Sequence, residues 1–451
     1  MVVLSSDQVV KDLLDKRSSI YSSRPDMYIA SDVLSGGLRF LLMGYNSRWR
    51  VSRKLTHQLL NVQISKKYVI YQDLEIVQLC HDLLKQPADF VKHLRRFTTS
   101  LSATMIFGFR CPSYQDHEIE NLYHAADSLS DVGRSVMASM MDFYPILRYI
   151  PDIFNPITSQ ARQVFVETLQ LYRRYWALAK KNQSLGVGVH SFCQDLSAIQ
   201  ARENISDDDA AFMAGMLLEG GSDSTSVTLM GFIQAMALSP EVQRRGQEEV
   251  DKVVGQERLP NLDDWDDLPY TRACVKEILR WLPVATLGMI HATTTNDIYN
   301  GYEIPKGAQV VNNIWAINMD EQRFSDPKTF NPDRYLGDEL SAAESAALTD
   351  GTKRDHFSFG AGRRICQGIH VAERSLLLAI SRFLWAFDIS KARGRDGQEI
   401  DITPHQFSIA IILTLDPFQC DIRPRGPKRM EVVECTWTAA KEQFQNMGLD
   451  T

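Results

Sequence analysis

From about Val51 to Lys181 apolar residues recur every three or four positions, the period of a helix with one buried face. The pattern predicts helices near 51–63, 66–84, 87–107, 117–136 and 157–181, with Pro112, Pro145, Pro151 and Pro156 as breaks. Before them, residues 7–18 read as a short amphipathic helix. Residues 21–46 read as a loop with Gly36, Gly37 and Gly44, unusually apolar and so tucked under or lining a pocket. The segment 142–154, DFYPILRYIPDIF, is apolar and aromatic but too rich in proline for a regular helix. Ser206, with Asp209 in capping-box position, opens a helix that runs to about Leu238 and is apolar on most faces, which requires burial around much of its circumference. Ser239-Pro240-Glu241 starts a polar helix, and Pro269–Leu282 another.

After Pro283 the pattern turns extended. Leu287–Ala292 reads as a strand, and turns at Tyr299–Tyr302 and Ile304–Gly307 flank short strands ending at Val310-Val311. An irregular stretch, 320–355, leads to His356–Gly368, and Ile369–Phe387 returns to helical spacing. Phe407–Ile422 reads as a terminal hairpin, and the segment 426–451 as a charged, loosely held tail.

The composition, 451 residues with 44% apolar and 23% charged, is that of an ordinary globular chain. No linker marks a boundary, so residues 1–425 read as one domain. The net charge of −7 argues against nucleic acid as a partner. Seven cysteines without paired spacing give no disulfide framework or zinc pattern. No stretch approaches the ~20 apolar residues of a membrane span.

Two places break the local rules. Gly220-Gly221-Ser222-Asp223-Ser224-Thr225 interrupts the buried helix, although paired glycines cost about 1 kcal/mol each there and a buried acid must find a partner. The run HFSFGAGRRICQG, residues 356–368, places Cys366 at the mouth of a helix beside two arginines, where helix dipole and guanidinium charge favour the thiolate that binds metal. Trp49 and Arg53 share a helix face, as do Glu277 and Arg280.

Phe359, Gly362, Arg364, Cys366 and Gly368 match the FxxGxRxCxG haem-binding signature, and the chain resembles the cytochrome P450 superfamily. Three further motifs follow the order of that family: WxxxR at Trp49 and Arg53, the oxygen-activation motif at Asp223 and Ser224, and ExxR with PxR at Glu277, Arg280 and Arg334. Flanking text such as YNGYEIPKGAQVVNNIWAIN looks like fungal members. The resemblance implies a mainly α fold, a single large helical domain with small β-sheets, and haem b as cofactor. It makes Cys366 the axial ligand, Phe359 its shield, Trp49, Arg53, Arg364 and His291 contacts of the propionates, and Glu277, Arg280 and Arg334 a structural clasp. Asp223 and Ser224 would deliver protons. Ser224 stands where threonine is usual, keeping the hydroxyl and losing the methyl that fixes its rotamer. Thr225, about 100° further round the helix, is not a substitute.

The implied activity is a haem-thiolate monooxygenase that inserts one atom of O2 into a small apolar substrate, in fungal secondary metabolism, with electrons from an NADPH-dependent reductase. Val284–Met289 would face substrate. The 142–154 segment would roof the pocket or touch a bilayer. Endoplasmic-reticulum location is implied by the family, although the chain as given carries no anchor. The family's N-terminal helix and first sheet strands would be absent, leaving a sheet edge unpaired. That gap keeps a haem-binding protein without turnover in view, alongside a rearranging or dehydrating member that needs no external electrons.

Overall fold

A computed structural model describes residues 1–409 and 412–449. Its centre is the helix Asp207–Leu238, started by Ser206, whose Oγ accepts the Asp209 N–H at 3.1 Å. Because this helix is apolar nearly all round, other helices surround it: Phe90–Phe107, Pro156–Ser184 and Ile369–Ala386 pack on it directly. Val69–Lys85 forms a further layer against Phe90–Phe107. The first long helix, Ser47–Leu60, begins earlier than its apolar period suggests, because the Asn46 side chain accepts the Trp49 N–H at 2.9 Å and fixes the start.

Other elements depart further from the pattern. Residues 7–21 are helical, but the turn Lys11–Lys16 is a wide π-helix, and Tyr28–Val33 inside the expected loop is another. Within 136–154, Val136–Phe143 is helical and two single 3-10 turns follow, Pro145–Tyr149 and Asp152–Phe154. Phe143, Tyr144, Ile146, Tyr149, Ile153 and Phe154 are exposed, so this segment does not fill the core.

The strands are β1 (Val2–Leu4), β2 (His291–Ala292), β3 (Asp297–Tyr299), β4 (Tyr302–Ile304), β5 (Gln309–Asn312), β6 (Phe387–Lys391), β7 (Phe407–Ile409), β8 (Leu413–Leu415) and β9 (Cys420–Pro424). β1 pairs parallel to β5 and β2 antiparallel on its other side. The sheet edge expected to lie open is thus filled on β5 by Val2–Leu4. The strand expected over 287–292 shrinks to its last two residues, since Gly288 sits at φ +55°, outside extended geometry. Asn300 and Gly301, both at positive φ, close the β3–β4 hairpin. The hairpin expected over 407–422 divides: β7 pairs with β8, while β9 leaves to pair with β6.

The segment after Arg425 is not a loose tail. Pro427–Asn446 is a helix laid against Val69–Lys85, with Val432, Val433, Ala440 and Phe444 buried at helical spacing and Trp437 stacked on His81. Beneath it Glu75 accepts from Arg96 at 2.6 Å, Arg110 at 2.8 Å and Ser100 at 2.7 Å, and the Phe444 ring covers the Arg110 guanidinium at 3.6 Å. Asp251 ties the start of the helix through Arg425 at 2.8 Å and Arg429 at 2.7 Å.

On the helix Ile369–Ala386, Glu373 is buried and accepts the Ala342 N–H at 2.7 Å. Burial pushes its carboxyl up to about 7, with Asp355 adding to the rise and Lys276 opposing it.

Two predictions follow from this packing. Phe444→Ala lowers unfolding stability by about 3–5 kcal/mol through the cavity it leaves over Arg110, read as a lower urea midpoint; an unchanged midpoint would mean the helix is undocked. Glu373 holds its proton in the folded state above the pH at which the unfolded chain has lost it, so its contribution is present at pH 4.5 and fades as pH rises toward 7. Glu373→Gln should therefore gain about 3 kcal/mol over the parent at pH 8 relative to pH 4.5. Parallel pH profiles of the two proteins would contradict the assignment.

Candidate active site

The loop before Cys366 turns where only glycine fits. Gly360 and Gly362 lie at φ +74° and +63°, and a Cβ on Gly362 would sit 1.9 Å from the Leu14 carbonyl oxygen. The Gly362 N–H donates to Asp15, which Lys11 holds at 2.9 Å, so the N-terminal π-helix buttresses the loop. The Cys366 N–H donates to the Phe359 carbonyl at 2.9 Å, and Gln367 donates to the Arg53 carbonyl at 3.0 Å.

From behind, the loop is held by a buried clasp. Glu277 receives Arg280 bidentately at 2.7 Å for both contacts, accepts the Asn331 N–H at 2.8 Å and lies 3.4 Å from Arg334. Arg280 donates on to the Asn318 carbonyl at 2.8 Å. Asn318 in turn accepts the Phe357 N–H at 3.4 Å, and Ser358 donates to the Leu279 carbonyl. The clasp reaches Cys366 only through these loop bonds, so its three residues lie outside the cavity wall.

A cavity of about 400 Å³ opens between this loop and the central helix. Trp49, Arg53, His291, Phe359, Arg364, Cys366, Gly368 and Ser224 all line it, so the structure brings most of the motif residues to one wall. The Arg364 guanidinium lies 4.1 Å over the Trp49 ring and donates to the carbonyls of Ser22 (2.9 Å), Phe40 (3.2 Å) and Met43 (2.6 Å). Arg24, which no motif pointed to, lines the same wall and donates to the carbonyls of Leu41, Met289 and Ile290 at 2.9 Å each. Its only sequence signal is an arginine standing in an apolar loop.

Burial pulls all three guanidiniums down, Arg24 to about 9, Arg53 to about 10 and Arg364 to about 8. No carboxylate among the described residues lines the cavity, and none of the three forms an ion pair there. His291 donates from Nδ1 to the Tyr21 carbonyl at 2.7 Å, and burial with Arg24 beside it lowers its pKa to about 3. Its single ring proton is thus spent, and donation to a carboxylate from Nε2 requires the doubly protonated ring that a nearby anion favours.

The thiol departs from expectation. Cys366 is exposed into the cavity yet deep in the fold, and burial raises its pKa, with the Gly368 backbone and Arg53 only partly opposing this. Dipole and arginines do not make a thiolate by themselves; a metal cation on the sulfur would. A soft thiol facing apolar walls, with three uncompensated cations at one edge, fits a flat iron-bearing ring with two carboxylates.

Opposite, Gly220, Gly221, Ser224 and Thr225 of the central helix face the cavity, so Thr225 shares the wall it was not expected to reach. Ser224 Oγ donates to the Gly220 carbonyl at 2.8 Å. A Cβ on Gly221 would meet Ser102 Oγ at 2.4 Å, which explains the glycine by close helix approach. Asp223 does not line the cavity. Its carboxyl is raised by burial, with Arg95 and Tyr123 beside it pulling back down.

Comparison with known proteins agrees with this geometry. The sequence profile of the family described as Cytochrome P450 matches residues 1–418. Cytochrome P450 monooxygenase virE of Hypocrea virens is 45% identical over 437 residues, 97% of this chain and 79% of the relative. Cytochrome P450 monooxygenase fogE of Aspergillus ruber is 44% identical, covering 87% and 72%, and fsoB of Humicola fuscoatra 40%, covering 98% and 81%. A zebra fish cytochrome P450 solved with abiraterone shares the fold at TM-score 0.74 and 23% identity, over 94% of this chain and 93% of its own. Matched by the family profile over nearly its whole length and by fungal monooxygenases at 40% identity or more, the chain belongs to the cytochrome P450 family, oxidoreductases that carry haem b and act as monooxygenases.

Proposed function

We propose that the chain is a haem-thiolate monooxygenase in which Cys366 would hold the haem iron, acting on a small, largely apolar substrate in fungal secondary metabolism with electrons from an NADPH-dependent reductase. The observation that carries this reading is the meeting of one thiol and three unpaired guanidiniums on a single cavity wall beneath a glycine-broken helix. Haem, when bound, supplies dioxygen activation and the transfer of one oxygen atom to a C–H bond.

The chain's own residues do the rest. Arg24, Arg53 and Arg364 neutralise the two propionates, with Trp49 packed under Arg364 and His291 at the same edge. Phe359 and Gly368 flank the sulfur in the cavity lining. Glu277, Arg280 and Arg334 fix the loop that presents it. Gly220 and Gly221 keep the helix face free of side chains over the site, and Ser224 holds a proton at Oγ. Asp223, its carboxyl raised by burial, is the acid beside Ser224 on the helix and would pass protons toward it. Substrate carbon sits against Leu101, Met105, Ile106 and Met216, which exclude water.

No helix among the described residues is long and apolar enough to cross a membrane. The exposed apolar residues of 143–154 offer a face for peripheral contact with the endoplasmic-reticulum surface. The reading as a haem protein without turnover drew on a missing N-terminal wall and the sheet edge left with it; β1 pairs on β5 at that edge, and turnover of a substrate with a reductase present would dismiss the reading.

Two outcomes test the proposal. The reduced, carbon-monoxide-bound protein shows a Soret band shifted strongly to the red, and Cys366→Ala abolishes the shift while the chain still folds; an unshifted parent band would exclude thiolate ligation. Arg24→Leu, and more so Arg24→Leu with Arg53→Leu, weakens haem retention at least tenfold by loss of charge-assisted bonds of about 1.5–3 kcal/mol each, measured by haem transfer to apomyoglobin. Unchanged retention would separate these arginines from the propionates.

A further inference from the structure

The cavity wall carries one polar side chain that neither the arginine edge nor the Ser224 region uses. Asn312, the last residue of β5, is 3% exposed, lines the cavity, and its Oδ1 has no hydrogen-bond partner among the described residues. The neighbouring asparagine is different. Asn313 accepts the Ala316 N–H at 3.1 Å and donates to Ser5 at 3.3 Å, so it is consumed in starting the next helical turn. Three hydroxyls of the wall, by contrast, are spent within the chain: Thr98 on the Ser222 carbonyl, Ser224 on Gly220 and Thr228 on Ser224.

Strand geometry explains where the amide is held. Val310 pairs with His291, and Asn312 lies two residues further on, so the period of two puts both on the sheet face that looks into the cavity. At Gly288 a Cβ would lie 3.5 Å from the Asn312 Cβ and 3.7 Å from Ile314. Gly288 and Ile314 thus stand beside the stem of the Asn312 side chain. A buried amide without a partner is unfavourable by one to several kcal/mol, on the order of 1–3, unless a ligand supplies the missing bond.

We propose that Asn312 Oδ1 accepts a hydrogen bond from a hydroxyl of the substrate, which makes the substrate an already oxygenated organic molecule with an apolar body and not a plain hydrocarbon. The inference rests on reading this cavity as the substrate site. Asn312 is then a specificity residue: it touches substrate at a point away from the bond that reacts, and a ligand lacking the oxygen leaves the amide desolvated and unpaired.

Naphthol and naphthalene form a matched pair of probes, their dissociation constants measured by equilibrium dialysis against the haem-loaded protein. The parent binds naphthol at least as tightly as naphthalene, although the hydroxyl must shed its water. Asn312→Leu, close in volume, shifts the ratio of the two constants toward naphthalene by about tenfold while haem content and the carbon-monoxide band stay unchanged. A parent that prefers naphthalene, with the ratio unmoved in the variant, overturns the inference. So does a variant that loses haem with its ratio intact, because the amide would then belong to the cofactor. If Asn312→Leu does not fold, the parent ratio alone decides. A red-shifted carbon-monoxide band together with no hydroxyl preference sinks this inference and leaves the monooxygenase reading standing; absence of the band removes both.

Discussion

Positive charge without an internal counter-charge is the constraint around which the site is built. Several buried cations elsewhere are paired with acids: Arg96 and Arg110 on Glu75, Arg280 on Glu277, Arg39 on Glu219. Arg24, Arg53 and Arg364 have no such partner, and burial lowers the pKa of each. Backbone carbonyls satisfy the N–H groups of Arg24 and Arg364 but cannot neutralise their charge. The haem that this family carries has two carboxylates, the counter-charge that these three side chains lack among the described residues.

The thiol obeys the same logic with the opposite sign. Burial raises the Cys366 pKa and so favours the thiol in the protein alone; a metal cation on the sulfur would displace that proton. What the chain supplies beforehand is position. Two glycines at positive φ bend the loop, the Phe359 carbonyl anchors the Cys366 N–H, Asp15 grips Gly362 from the N-terminal π-helix, and the Glu277–Arg280 clasp ties Phe357 and Ser358 through Asn318 and Leu279. Each support comes from a different part of the chain, and this makes the site rigid.

The two faces of the cavity divide the labour. The loop side holds charge and sulfur; the central-helix side is bare at Gly220 and Gly221, where a larger residue at 221 would strike Ser102. Asp223 is not part of the cavity wall and lies beside Arg95 and Tyr123 on the flank of the helix.

Short motifs and apolar period were legible in the sequence, because each is a local property: the cysteine loop, the ExxR pair on one helix face, the buried helix with its glycine break, and the long helices within 51–107, 117–136 and 157–181, but not the helix Phe192–Glu203. The C-terminal helix escaped that reading because its buried face, Val432, Val433, Ala440 and Phe444, is narrow and set among charges, and only docking on Val69–Lys85 makes it stable. The filling of the β5 edge by Val2–Leu4 escaped it because strand pairing across some three hundred residues leaves no local mark. The residues themselves determined that a thiolate-ligated haem was the group to look for. Only the tertiary structure decided that Arg24 joins the arginine edge, that Thr225 lines the cavity and Asp223 does not, and that of two adjacent asparagines one is used up while the Oδ1 of the other has no partner among the described residues. Those outcomes depend on which groups meet across the folded chain, and burial, not residue type, determines whether a charge or an amide is left waiting for a ligand.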